Sequence, residues 1–403
     1  MTLMEKTSGR PDNVPDDRVF DIDIYMPSPD KGDYHEAWSK VHAFTDQQLI
    51  WTPKNDGHWI AVRTDAINAV LSDFEHFSNR VIFVPRSSGE AHNIIPTTLD
   101  PPEHRPYRTI LNSSLAPKSV NQVEPKFRAI AGELMDAFQD RGWCNFTTEF
   151  AEHFPIRIFM EIIDLPVADA PRLKRLADQT IRPDGTMTYE QALQGMYDYL
   201  NPHLEARRGG SGGDMLSRIV NGEVNGRPVS MQEAREMGAQ MLIAGLDTVV
   251  NFLGFIMAFL AVNDGERRWL AEDPKNIPGF INELLRRFGI VTTGRIVRED
   301  YMFDGVQLRE GDMVMVPTGL HGIDPAVYED PLNVRRGRTG IRHSAFGVGN
   351  HVCPGAHLAR AEVLATLEEW LSRIPEFRIK RGSALQYTGG IVAHIEEVLL
   401  EWD

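Results

Sequence analysis

The sequence predicts a mainly α fold with small β-sheets, as a single domain over residues 19–403 behind a flexible N-terminal tail over residues 1–18. Three observations carry this. Apolar residues recur at helical spacing through most of the chain, turn-flanked apolar runs gather near its two ends, and no shift of composition divides the helical stretches. The tail is polar and acidic, with no apolar run, so neither a signal peptide nor a transit peptide is expected there. Leu49-Ile50-Trp51 and His58-Trp59-Ile60-Ala61-Val62 then flank Asn55-Asp56-Gly57, which predicts a hairpin. Ile130, Leu134 and Phe138 mark a helix. Arg207-Arg208 and the glycine-rich residues 209–213 predict a mobile surface loop. Residues 241–262 are long and apolar enough for a bilayer. Asp247, Thr248 and Asn251 inside them favour a helix through a protein core. Late strands are expected around residues 313–316, after the turns Asp304-Gly305 and Glu310-Gly311-Asp312, and at Ile391-Val392 after Gly389-Gly390. Between them, Leu358, Ala361, Ala365, Leu367, Trp370 and Leu371 predict one more helix.

Composition narrows the function. The 403 residues are 42% hydrophobic and 25% charged, which is ordinary for a globular protein with a packed core. Lys+Arg 42 against Asp+Glu 57 leaves a net charge of −15, which argues against nucleic acid or an anionic membrane as a partner. The only cysteines are Cys144 and Cys353, a usage that fits a reducing, cytoplasmic setting.

Cys353 has a chemical setting and Cys144 has none. Residues 343–358 form a glycine-rich loop that delivers Cys353 to the start of an alanine-rich helix. Backbone N–H groups and the positive end of a helix favour a thiolate, hence a nucleophile or a metal ligand. The same residue could also be a small buried hydrophobe, the reading kept for Cys144. Phe346, Gly349, Cys353 and Gly355 together match F-x-x-G-x-x-x-C-x-G, and here the chain resembles the haem-binding loop of the cytochrome P-450 family of haem-thiolate monooxygenases.

Two further segments agree. Glu283 and Arg286 match the E-x-x-R of that family, a pair on one helix face that braces the core behind the haem. Ala244-Gly245-Leu246-Asp247-Thr248 resembles its distal helix with an acid–alcohol pair, although a threonine bonded back to its own helix is the plainer alternative. Similarity to the camphor-hydroxylating bacterial members runs over essentially the whole chain after the tail. It implies a triangular helical prism, one haem b (iron protoporphyrin IX) with Cys353 as the iron ligand, and O2 bound beside Asp247 and Thr248.

The same resemblance implies the site roles. Thr248 donates a hydrogen bond on the oxygen side, Asp247 resupplies its proton, and Gly245 lets the helix open locally. Propionate partners are Arg108, Arg295 and His351, with His104 a fourth. Thr293 departs from the camphor enzymes, which carry aspartate there, and Pro354 departs from their leucine. Phe83, Ile94, Thr97, Ala244, Val291, Ile391 and Val392 line an apolar substrate pocket. His92 stands where those enzymes have a tyrosine that binds substrate, and Gln240 where they have leucine. A small lipophilic terpenoid or norisoprenoid of ionone type is the expected substrate; a true camphor hydroxylase, a haem-thiolate peroxygenase that needs no redox partner and a non-catalytic haem sensor are the alternatives. Residues 335–342 hold four arginines in eight positions, Arg335, Arg336, Arg338 and Arg342. With Arg105 and Arg108 they are expected to dock an acidic [2Fe–2S] ferredoxin served by an NADH-dependent reductase.

Overall fold

The computed structural model describes residues 10–27 and 32–403. The chain forms two compact units, each drawn from three segments. One comprises Met1–His104, Asn282–Cys353 and Gln386–Ala393; the other comprises Arg105–Ile281, Pro354–Leu385 and His394–Asp403. This interleaving hides the division from the sequence, since no single linker marks it.

The first unit holds the main sheet, a five-stranded array ordered Leu49–Thr52, His58–Ala61, Met313–Pro317, Thr292–Val297 and Phe77–Ser78. The expected hairpin is present, with Trp51 opposite Trp59. Asn55, Asp56 and Gly57 all take positive φ in its turn, and a Cβ on Gly57 would lie 2.6 Å from the Trp51 ring. The strand expected at Ile391-Val392 shrinks to one isolated bridge between Val291 and Val392. Of the expected tail, residues 1–9 lie outside the described residues. The rest of it is held: Val14 is buried, and Arg18 donates to the Leu49 carbonyl and pairs with Asp304.

The second unit is helical. Helices Pro117–Asp136 and Ala356–Arg373 pack closely, and a Cβ on Gly132 would lie 2.5 Å from an Arg373 guanidinium nitrogen. Around Trp370 sit the rings of Phe138, Phe146, Phe150 and Phe377, at centroid distances of 5.2 to 5.9 Å, an aromatic core that burial alone would assemble. Burial pushes the Cys144 thiol well up in pKa, as befits a small core hydrophobe. The glycine-rich loop is exposed but tethered: Gly209 N donates to Asn221 Oδ1, and Arg207 pairs with Asp164 and Asp214.

The apolar stretch Met231–Val262 is long and apolar enough to cross a membrane, yet 67% of its most apolar window is buried among the protein's own residues. It starts in a capping box between Ser230 and Glu233. It is not one continuous helix. Met231–Gly245 ends with Leu246 as its cap, Asp247 leaves helical geometry at φ −132°, ψ −44°, and Thr248–Val262 begins afresh.

Candidate functional site

The loop that carries Cys353 is built by its glycines. Gly347 and Gly349 take φ +70° and +73°, and a Cβ on Gly349 would press within 2.9 Å of the Ser72 Cα on helix Thr64–Ser72. Gly347 N donates to Ser344 O, and Cys353 N donates to Phe346 O at 2.8 Å, folding the loop back on itself. The Cys353 thiol is exposed, unlike that of Cys144. Gly355 caps helix Ala356–Arg373, which begins three residues beyond Cys353.

In the sheet unit, Glu283 and Arg286 are almost fully buried. The guanidinium grips Glu283 bidentately, with both contacts at 2.8 Å, and donates to the carbonyls of Gly322, Pro331 and Asn333. Glu283 in turn accepts from Arg335 N and Arg338 Nε. So saturated a pair is a brace, and the surface-ion-pair alternative fails on burial. It also takes Arg338 out of the basic run, while Arg335 pairs with Glu329 and Asp330. The run is therefore less positive than its composition implies, with Arg336 and Arg342 as its exposed members.

Arg295 tests the haem expectation. It lies on strand Thr292–Val297, 3% exposed, and donates to the Gly294 carbonyl. No carboxylate of the described residues forms an ion pair with it, and burial holds its pKa down to about 10 against the opposing pull of Asp100. A buried guanidinium without a counter-anion fits a haem propionate. The rings of His104 and His351 lie with centroids 4.0 Å apart, tilted by 37°, one buried and one half-buried, and Arg108 sits one turn after His104 on helix His104–Leu115. Arg295, His104 and His351 are donors of the same unit as Cys353, and their chemistry fits the propionates and thiolate ligation of a haem.

In the helical unit, Gly245 lies against Phe159, where a Cβ would come within 2.6 Å of the ring. Close packing therefore demands this glycine as much as local opening does. Thr248 Oγ1 donates to Ala244 O at 3.2 Å, the plainer bond, and Asn251 Nδ2 donates to Asp247 O. The Asp247 side chain is 1% exposed; Oδ1 accepts from Arg182 Nη2, and Oδ2 is buried without a hydrogen-bond partner. Sequence reasoning missed Arg182. Its signal was indirect: a carboxylate in so apolar a helix demands a cation, without saying which.

Of the pocket residues, Ile94 and Val392 are buried, Thr97, Val291 and Ile391 half-buried, and Val291 bridges Val392. His92 caps the short helix Arg86–Ala91, whose Gly89 packs so tightly that a Cβ would lie 2.5 Å from Phe83 O. That contact brings the buried His92 ring edge-on to Phe83 at 4.7 Å, and burial pushes its pKa down to about 4. In the other unit, Ala244 is exposed, and Gln240 is half-buried with Oε1 unpartnered.

The family model for cytochrome P450 matches residues 277–382. Probable cytochrome P450 127A1 of Sinorhizobium fredii is 32% identical over 98% of this chain and 98% of its own length. Cytochrome P450(MEG) of Priestia megaterium is 29% identical over 82% of this chain and 86% of its own. The crystal structure of CYP101J2 matches with TM-score 0.93 at 48% identity, covering 98% of this chain and 100% of that one. That of CYP101C1 matches with TM-score 0.91 at 41% identity and the same coverage. Full-length relatedness of this kind, together with the cysteine loop and its buried brace, settles the assignment: the chain belongs to the cytochrome P450 family and is a haem b monooxygenase.

Proposed function

We propose that this monooxygenase hydroxylates a small lipophilic terpenoid or norisoprenoid ketone of ionone type, taking electrons from a [2Fe–2S] ferredoxin and its NADH-dependent reductase. One observation carries the substrate class. The buried His92 imidazole, neutral at physiological pH, lies edge-on to Phe83, and a neutral imidazole is a group that can donate to a carbonyl acceptor.

When bound, haem supplies a thiolate-ligated iron at which dioxygen is activated. Cys353 would be its ligand in this reading, and Arg295, His104 and His351 would hold the propionates. The Thr248 proton is parked on the Ala244 carbonyl, and rotation about χ1 redirects the hydroxyl toward the oxygen side. Asp247, anchored through Oδ1 by Arg182, keeps Oδ2 for passing a proton to Thr248. Arg336 and Arg342 supply positive charge for an acidic ferredoxin. A panel of ketones scored by the haem spin-state shift tests the reading. Ionone-type ketones should give larger shifts than camphor; the reverse order would favour a camphor hydroxylase.

A further inference from the structure

Asp247 does not meet solvent directly, so protons must reach it through something else. A cavity of about 810 Å³ in the helical unit has Asp247 and Arg182 in its wall, and His394 with them. His394 opens the short strand His394–Ile395, which packs on helix Thr248–Val262 just after its break. Two buried atoms of this wall lack a hydrogen-bond partner, Asp247 Oδ2 and His394 Nδ1.

Other charged groups line the same wall, Arg175 and Asp184 among them. On helix Ala170–Ile181, Lys174 Nζ is 2.7 and 2.8 Å from the Asp178 oxygens, and Arg182 just beyond it holds Asp247. Glu396 lies beside His394 on its own segment. Around helix Phe154–Ile163, Arg157 pairs with Glu133, while Glu152 and the exposed His153 complete that side. His394 is the imidazole in this wall on whose charge both Arg182 and Asp247 act.

The geometry points to His394 as the residue that passes protons from this cavity to Asp247, a positioning role that rests on reading Asp247 as the relay. His394 and Asp247 do not bond directly, so a water of the cavity bridges them: the neutral imidazole gives its N–H proton to that water as the water passes one to the Asp247 carboxylate and the other ring nitrogen takes a proton from solvent. The ring ends neutral in its other tautomer, the carboxylate ends protonated, and nothing is oxidised or reduced. Burial, Arg182 and Lys174 hold the ring pKa down to about 4 against Asp247 and Glu396, so the ring stays neutral in the resting protein.

The test uses the full-length haem protein, reduced and carbon-monoxide-bound so that it is diamagnetic. Histidine ring protons are followed by NMR against pH, with His394→Gln identifying the resonance. That resonance should titrate about two units below ordinary histidine, move up in Arg182→Gln and move down in Asp247→Asn. In turnover with ferredoxin and reductase, His394→Gln should slow oxygen consumption at least about fivefold and enlarge the solvent deuterium isotope effect, leaving substrate binding unchanged. His394→Gly serves equally if the glutamine variant folds poorly. A resonance indifferent to both neighbours overturns the role of His394. So does a His394 variant with wild-type rate and isotope effect while Asp247→Asn is slow, and the relay reading then stands. Asp247→Asn at the wild-type rate overturns both.

Discussion

Arg182 and Asp247, 65 positions apart, form an ion pair in which the carboxylate is 1% exposed and the guanidinium 25%. It places the one ionised side chain of residues 241–262 at a helix break, with one oxygen anchored and the other unengaged. If that oxygen feeds Thr248, the two neighbours should fail differently. Thr248→Ala should keep consuming NADH while releasing hydrogen peroxide in place of product. Asp247→Asn should slow oxygen consumption by about 10²-fold or more. Measuring oxygen, peroxide and product together checks this; two fast, coupled variants would refute both roles.

The Glu283–Arg286 brace predicts a stability effect. Arg286→Ala leaves a buried carboxylate and three carbonyls without their shared donor, so about 3–5 kcal/mol should be lost. Little folded, haem-loaded protein should accumulate, whereas Arg342→Ala, on the exposed run, should leave the unfolding midpoint within error. Equal midpoints for the two variants would show that the brace is ornamental.

Burial holds the pKa of His35 down to about 3 and those of His58 and His92 to about 4. Each is neutral when folded, and the unfolded chain binds more protons below the ordinary value of 6.5. Their contribution is therefore complete above about pH 6.5 and is lost as pH falls toward 4, at up to about 1.4 kcal/mol per pH unit for each ring. Urea midpoints at about pH 7.5 and about pH 5 should differ accordingly, and His58→Gln should flatten the dependence. A flat profile in the parent protein would contradict the buried-neutral assignment.

Selectivity should follow His92. An unpaired carbonyl in an apolar pocket costs about 1–3 kcal/mol, or roughly one to two decades in affinity. An ionone-type ketone should bind more tightly than camphor, and His92→Tyr should narrow the gap by improving camphor binding. Titrations in which the substitution leaves both ketones unchanged would remove His92 from the pocket.

The sequence made some of this legible and hid the rest for physical reasons. The hairpin at Asn55-Asp56-Gly57 was readable because left-handed turns need those residue types, and the Cys353 loop because its glycines must sit at fixed offsets. The break at Asp247 was not, because apolar periodicity runs through it undisturbed. Arg182 was invisible as the partner of Asp247, and His394 as its neighbour in the cavity wall, since contacts across distant segments leave no local pattern. The arginine run misled in the opposite direction: composition counts charges, whereas Arg335 and Arg338 spend theirs on Glu329, Asp330 and Glu283.

The central claim is that Cys353 is the iron ligand, and the absorption spectrum of the reduced carbon monoxide complex tests it most directly. The parent protein and Cys144→Ala should both show the red-shifted Soret band of thiolate ligation, while Cys353→His should retain some haem and lose that band, because imidazole donates less strongly. An unchanged spectrum in Cys353→His would contradict the account.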